Sequence, residues 1–492
     1  MTKLVGDDVI SQESIGAVIG GEIILNGDVI SLKSPYDNQH FADLYLADKE
    51  QVDKAISITA DGFYQVKSMP CYKRYDILQK VAALIKRDRK ILAEGITTES
   101  AKPISAAYAE VDRAIFCFEV AAEESRRIGG EIINLDWLKG NDKRQAHKIR
   151  VPRGVIAGIT PFNFPLNLVV HKIAPAMASG NSIIIKPATQ TAMTAIRLGK
   201  LILEAGWPKN AIAIVPCQVE DASLLVSDKR IKLLTFTGSP KVGWQLKQQA
   251  GKKPLTLELG GNAGNIIEAD ANIDYALKRI VWGGFLNAGQ TCISVQRVYI
   301  HQSIYKKARE KLVRLVEKIP YGNPWDENVI VGPVINQAAH DNVIKIINDA
   351  INSKATLLVG GKSEGLVIAP TVIENNDESL DISSTELFAP VIVISPYEHF
   401  DEALFRVNQS AYGLQAGVFT ENLAKIHLAV SMLEVGGINI NDVSTFRIDH
   451  MPYGGVKDSG FGREGIQNAI EEMTEMKLIT YNHSVYEYEE TY

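Results

Sequence analysis

One cysteine of this chain stands where chemistry can be displayed. Cys292 lies in Asn287-Ala-Gly-Gln-Thr-Cys292-Ile-Ser294, between an apolar stretch of helical spacing, Ile273 to Phe285, and a strand-like run, Val295 to Ile300. A free thiol is only a few per cent thiolate at neutral pH, its ordinary pKa being about 8.5. The loop must therefore favour the anion, and backbone N–H groups around Gly289, Gln290 and Thr291 are placed to do so. A single cysteine near a helix end is more often a small buried hydrophobe, so its partners decide.

Two further residues supply what a thiol needs. Glu258 ends the strand-like Leu255-Thr-Leu257 and precedes Gly260 and Gly261, which suits a general base beside a close backbone approach. Asn163, in Pro161-Phe-Asn-Phe-Pro165, follows the strand Val155 to Thr160 and can offer an amide to an oxyanion. An ordinary Asx turn is the competing reading. Phe236-Thr-Gly-Ser-Pro-Lys-Val-Gly243 joins a strand to a helix and so aims N–H groups at an anion, although it is neither a Walker A loop nor G-x-G-x-x-G. Lys186 ends the strand Ser182 to Lys186, within reach of a ribose or phosphate.

The elements that carry these residues change character along the chain. With 492 residues, two large domains are expected. Glu22 to Leu25 and Val29 to Leu32, separated by Asn26-Gly27, predict a hairpin. Asp48 to Glu124 has helical periodicity, with Glu110 and Arg113 one turn apart as a local salt bridge. Gly129 to Asn134 and Ala146 to Val151 read as two strands whose unpaired edges a partner chain would cover, predicting a homodimer or homotetramer. After Pro152, strands alternate with helices, as in a parallel, doubly wound sheet, and a second α/β unit begins near Leu257. Ile479-Thr-Tyr481 is a terminal edge strand before an acidic tail, Val485 to Tyr492.

Composition narrows the partners. Hydrophobic residues are 46%, charged residues 22% and the net charge is −6, which argues against nucleic acid and anionic membranes. No apolar run reaches the roughly 20 residues of a membrane span, and Met1 to Ile10 carries Asp7 and Asp8 rather than a signal pattern, so a cytoplasmic protein is expected. Four scattered cysteines form no CxxC and nine histidines no HExxH, so no metal is expected.

In chain order, Pro161-Phe-Asn-Phe-Pro165, Lys186-Pro187, Phe236-Thr-Gly-Ser239, Glu258-Leu-Gly-Gly261, Gly289-Gln-Thr-Cys292, Glu386-Leu-Phe-Ala-Pro390 and Pro452-Tyr-Gly-Gly-Val-Lys-Asp-Ser-Gly460 resemble the signatures of the NAD(P)-dependent aldehyde dehydrogenase superfamily. The resemblance runs from Lys33 to Ile479 and is nearest to the lactaldehyde, non-phosphorylating glyceraldehyde-3-phosphate and phosphonoacetaldehyde members. It implies a Rossmann-like cofactor domain (1–127 and 149–256), an α/β catalytic domain (257–440), a return segment lining the cleft (441–475) and a small β oligomerisation arm (128–148 and 476–492).

The same resemblance implies that Cys292 attacks the aldehyde carbon, that the oxyanion meets the Asn163 amide and the Cys292 N–H, and that Glu258 activates the water that hydrolyses the thioester. Lys186 and Glu386 would hold ribose hydroxyls, Ser239 the pyrophosphate, and Phe388 would pack near the nicotinamide ribose. Thr160, Pro161, Phe162, Gly238, Leu259 and Gly260 complete the expected NAD or NADP surface. Thr189 stands where many NAD-preferring relatives have an acid, which predicts tolerance of NADP and leaves preference open. Cys217 replaces a glycine frequent in relatives on the adenine side.

For substrate, Arg447 and His450 in the loop Thr445 to Gly454 could pair with a hydroxyl or anion, or Arg447 could make a loop salt bridge. Thr291 stands where phosphate- and phosphonate-aldehyde members often carry Arg, which favours a small hydroxyaldehyde over a strongly anionic one. His171 either adds polarity to the tunnel or is a satisfied helix histidine. The remaining alternatives are a dehydrogenase acylating coenzyme A, whose members usually lack the Glu258 base, and a catalytically silent member.

Overall fold

The computed structural model of the chain describes residues 13–484. Two sheets organise it. The first has eight strands in the order Gly460–Phe461, Leu255–Glu258, Ile231–Thr237, Val155–Ile159, Ser182–Lys186, Ile212–Ile214, Ala17–Ile19 and Glu22–Ile24. Its five central strands are mutually parallel. They are apolar along nearly their whole length because helices cover both faces. From Val155–Ile159 the chain first winds outward to Ser182–Lys186 and Ile212–Ile214, then returns to the other side for Ile231–Thr237 and Leu255–Glu258. Ligand crevices form where such a winding reverses, at the carboxyl ends of the strands. Thr160 to Asn163 and Gly238 to Ser239 emerge there.

The second sheet has seven strands, ordered Thr356–Val359, Thr371–Glu374, Val391–Tyr397, Val295–His301, Ala263–Ile267, Gln415–Phe419 and Gly437–Ile440. All its pairings are parallel except the one at the edge strand Thr356–Val359. The chain passes from the carboxyl end of Leu255–Glu258 to the amino end of Ala263–Ile267 across four residues, Leu259 to Asn262. The two sheets thus face each other end to end, carboxyl edge of the first against amino edge of the second. Cys292 precedes Val295–His301, and Glu386 and Phe388 precede Val391–Tyr397, so this sheet presents its site residues from its amino edge.

A third sheet, Thr474–Asn482 against Arg144–Pro152 against Gly130–Asn134, is antiparallel. Ile132, Met476 and Leu478 stand exposed on it. The expected terminal strand is therefore present and longer than Ile479 to Tyr481, while the acidic tail Val485 to Tyr492 and the Met1 to Ile10 start lie outside the described residues.

Two expectations are corrected. Glu22–Ile24 does not pair with the strand after Asn26-Gly27; it folds back on Ala17–Ile19, and Val29–Lys33 joins His40–Tyr45 in another sheet. Gly20 and Gly21, both at positive φ, make the tight turn instead. Glu110 and Arg113 are not paired with each other: Glu110 binds Lys102, and Arg113 binds Asp449 across the fold. Both side chains were claimed by buried charges that one turn of helix cannot reveal. Among the described residues no helix is long and apolar enough to cross a membrane.

Candidate active site

The cysteine loop is built from unusual backbone. After the helix Ile273–Phe285, residues Asn287, Ala288 and Gly289 all take left-handed φ values of 51°, 55° and 69°. Consecutive left-handed residues are costly for side chains with a Cβ, so the surroundings must enforce them. Gln290 does much of this: its amide oxygen accepts from Ile335 N–H (3.0 Å) and its amide nitrogen donates to the carbonyls of Asn287 and Pro333 (3.3 Å each). Asn287 donates to the Asn163 carbonyl at 3.2 Å. A Cβ on Gly289 would run into the Ala389 carbonyl, and one on Gly261 into the carbonyl of Cys292. Three motifs distant in sequence are thereby pressed into contact.

From Gln290 to Ser294 one N–H is left free. The N–H groups of Gln290, Thr291, Ile293 and Ser294 are each bonded within the loop, whereas that of Cys292 has no partner among the described residues. Asn163 donates to the Gln290 carbonyl at 3.0 Å, which aims its amide at the same place rather than into an Asx turn. The Cys292 sulfur is 2.9 Å from the hydroxyl of Tyr453. Burial pushes the thiol up to about 12, the Tyr453 hydrogen bond pulling the other way.

Glu258 faces the same cavity of about 450 Å³, 2% exposed, with neither carboxylate oxygen hydrogen-bonded. Burial, and then the neighbouring charge of Glu464, raise its pKa well above the carboxylate range. Glu464 accepts from Lys172 at 3.1 Å, and Lys172 also donates to Thr235 and Thr237 at 3.1 and 2.8 Å. Lys172 holds Glu464 ionised against the effect of its burial. Two adjacent carboxyl groups pushed in opposite directions are the arrangement in which one can take a proton near neutrality.

The crevice fits a dinucleotide. Ser239 caps the ten-residue helix Pro240–Gln249 without using its hydroxyl on the helix, so hydroxyl and first-turn N–H groups remain for an anion. Lys186 is mostly buried, yet among the described residues its ammonium meets only the Pro187 carbonyl at 3.3 Å, and burial lowers its pKa. Glu386 accepts from Gly261 N–H at 2.9 Å, and burial brings its pKa to about 7. Phe162 and Phe388 stack edge to face at 5.9 Å beside Leu259 and Gly238 on the cavity wall. Gly260 is required where Glu386 crosses it. Thr160 is buried with a free hydroxyl. Thr189 begins a short 3-10 turn away from the cavity wall.

On the substrate side, Thr291 lines the cavity and its hydroxyl accepts from Ile293 N–H at 3.3 Å. Arg447 lies over the Tyr453 ring at 3.6 Å, and its nearest carboxylate oxygen, on Glu464, is 3.7 Å away, too far for a hydrogen bond. Its Nε and Nη2 have no hydrogen-bond partner among the described residues. His171 lies behind the wall and does not line the cavity, with Nε2 on Asp449 at 2.9 Å and a buried Nδ1 that has no partner among the described residues. His450 reaches an outer groove, edge-on to Phe116. Cys117, His171 and Asp449 bring ligand-type atoms within 4.8 Å of one another, but Arg113 already binds both Asp449 oxygens.

Sequence reasoning missed Tyr453, Lys172 and Glu464. Tyr453 stood inside the quoted Pro452-Tyr-Gly-Gly run, and only its contact with sulfur singles it out. Lys172 follows His171 on a wholly apolar-faced helix, where a buried lysine is itself a signal of a nearby carboxylate.

The comparisons with known proteins agree with this geometry. The aldehyde dehydrogenase family model matches residues 25–479. The chain is 39% identical over 468 residues to a 3-sulfolactaldehyde dehydrogenase of Priestia megaterium, covering 95% of this chain and 98% of that one. The structure of aldehyde dehydrogenase 21 from Physcomitrella patens, in complex with the reaction product succinate, superposes with a TM-score of 0.94 at 38% identity, covering 96% and 99%. The glyceraldehyde-3-phosphate dehydrogenase GapN of Methanocaldococcus jannaschii, complexed with NADP, gives 0.90 at 36% identity, covering 93% and 100%. A thiol loop, a buried carboxylate and a dinucleotide crevice meeting between two α/β sheets, matched over nearly the whole chain, make this protein a member of the aldehyde dehydrogenase family and an NAD(P)-dependent enzyme.

Proposed function

We propose that the chain oxidises a small hydroxylated aldehyde to its carboxylic acid, with Cys292 as nucleophile, Asn163 and the Cys292 N–H as oxyanion donors, and Glu258 as the base for hydrolysis. The unused N–H of Cys292 among its bonded neighbours carries this reading. Attack by sulfur converts the carbonyl to an alkoxide, and a free backbone donor beside an aimed amide is what stabilises that charge. When bound, NAD(P)+ supplies the acceptor for the hydride that turns the thiohemiacetal into a thioester. Glu258, whose pKa burial raises above the ordinary carboxylate value, then takes a proton from water as its oxygen adds to the thioester carbon, releasing the acid and the Cys292 thiol.

Lys186, Glu386, Ser239, Thr160, Pro161, Phe162, Gly238, Leu259, Gly260 and Phe388 would hold the cofactor. Thr189, which brings no negative charge to the adenosine side, supports acceptance of NADP as well as NAD. Arg447, with two unpartnered nitrogens, would grip the polar far end of the substrate, while Thr291 adds no second cation beside the nucleophile. The sulfolactaldehyde and glyceraldehyde phosphate named for two relatives both carry a hydroxyl, in keeping with this class, and both also carry an anionic group, against the expectation drawn from Thr291. Exposed Ile132, Met476 and Leu478 on the three-stranded sheet suit a homodimer or homotetramer, and the free cysteines suit the cytosol.

A panel of short hydroxyaldehydes tested with NAD and NADP should yield acid without coenzyme A. Cys292→Ala should abolish turnover while keeping cofactor affinity. Retained turnover removes the nucleophile assignment, and no turnover by the native enzyme on any aldehyde revives the silent reading.

A further inference from the structure

The residue closest to the nucleophilic sulfur is one to which the motifs assign no role. Tyr453 is 4% exposed and packs with Ile293 and Leu414. Its backbone is pinned to Glu464 by N–H donation to the Glu464 carbonyl at 3.0 Å and acceptance from Glu464 N–H at 2.6 Å. Its hydroxyl has one partner among the described residues, the Cys292 sulfur at 2.9 Å, and the sulfur has no other. The Arg447 guanidinium covers the ring face at 3.6 Å. A cation over a phenol draws electron density from it, which makes the O–H a stronger donor.

The charged groups facing this pair come from three sides. Glu258, at the end of its strand, and Glu386, before Val391–Tyr397, both oppose a thiolate; Arg447, on the return segment, favours one. Lys172, Glu464 and Arg463 act on Glu258 behind them. The phenol is thus the uncharged donor set directly on sulfur, in a pocket where two carboxyl groups disfavour the anion.

We infer that Tyr453 is the positioning residue of Cys292: its hydroxyl holds the sulfur in the resting enzyme and donates to it as the thiol proton leaves to water in the cavity, stabilising the thiolate and aiming it at the aldehyde. The phenol keeps its proton throughout. A sulfur electron pair forms the S–C bond, the carbonyl π pair moves to oxygen, and the hydrogen bond weakens because a thioether sulfur is a poor acceptor. The inference rests on the assignment of Cys292 as nucleophile.

Tyr453→Phe keeps the ring and its stack under Arg447 while deleting the donor. Removing one hydrogen bond to a charged group should raise the thiol pKa by about one unit, and iodoacetamide labelling of Cys292, read by mass on its own peptide between pH 5 and 10, follows the limb of the profile below that pKa. A tenfold loss of thiolate, offset about threefold by the greater nucleophilicity of a more basic sulfur, should slow labelling about threefold below the thiol pKa. Replacing Tyr453 by 3-fluorotyrosine, a more acidic phenol of nearly the same shape, should displace the profile downward. It keeps the test available if the Phe variant folds poorly. A profile that stays in place in both variants overturns the inference. Labelling does not require turnover, so displaced profiles alongside an active Cys292→Ala enzyme would establish the hydrogen bond and remove only the nucleophile assignment.

Discussion

Two adjoining layers of buried charge treat their polar atoms in opposite ways. In the rear layer, which reaches the pocket wall at Lys102, Glu110 and Arg113, these charges are matched. Glu110 binds Lys102 and accepts from the N–H groups of Leu166 and Asn167 at 2.9 and 3.0 Å. Asp449 takes both nitrogens of an Arg113 fork, at 2.7 and 2.9 Å, together with His171 and Asn167. In the front layer, around Cys292, both Glu258 oxygens, two Arg447 nitrogens, one Glu464 oxygen and the Asn163 amide oxygen have no partner among the described residues. Unpaired buried polar groups cost about 1–3 kcal/mol each, more when charged. The contrast teaches that the rear layer holds the loops in place, and the front layer keeps its bonding capacity for what enters the cavity.

The contrast can be broken from either side, and the largest effect is expected at Glu258. Glu258→Gln is nearly isosteric at a carboxyl whose pKa burial raises. It should lower steady-state turnover by roughly 10² to 10⁴ while sparing an initial burst of reduced cofactor and without lowering chemical stability. Burst kinetics and urea melts check it; equal steady-state rates would return Glu258 to the structural layer. Asp449→Asn should do the reverse, destabilising by about 3 kcal/mol, near the low end for a broken buried pair because Arg113 keeps a third of its side chain in solvent. A denaturant melt unchanged by this substitution would mean that the rear layer is not the scaffold.

The layers should also differ in the sign of their pH dependence. Asp449 is held below its ordinary 3.8 by His171 and Arg113 against the effect of burial, so its stabilisation is present above that value and is lost as pH falls. Glu258 is raised above its ordinary 4.5, so its neutral form favours the fold below that value, and stability declines as pH rises toward the native pKa. Glu258→Gln should flatten the second slope and leave the first. The smallest effect is expected at Arg447→Met, which removes a cation the fold leaves half-used. It should reduce kcat/KM for a substrate with an anionic or hydroxyl end by roughly ten- to a hundredfold, mostly through KM, without lowering stability.

Much of the first sheet was readable because parallel strands buried on both faces leave continuous apolar runs, as in Ser182 to Lys186, and because Pro and Gly mark where they end. The early hairpin was misread since Asn26-Gly27 and Gly20-Gly21 are both turn signals, and only strand pairing chooses between them. His171 carried no mark of its side of the wall: its helix is buried all round, so periodicity assigns it no face.

By itself the sequence determined the family, the order of the motifs, the thiol loop and the strand ends that carry Glu258 and Asn163, because turns, apolar runs and short motifs are local properties. Which N–H stays free, which carboxylate goes unpaired, and that Tyr453 reaches the Cys292 sulfur were decided by tertiary structure alone. Those contacts span 161 positions in the case of Tyr453, and a hydrogen bond depends on separations of a few tenths of an ångström that no spacing along the chain can encode.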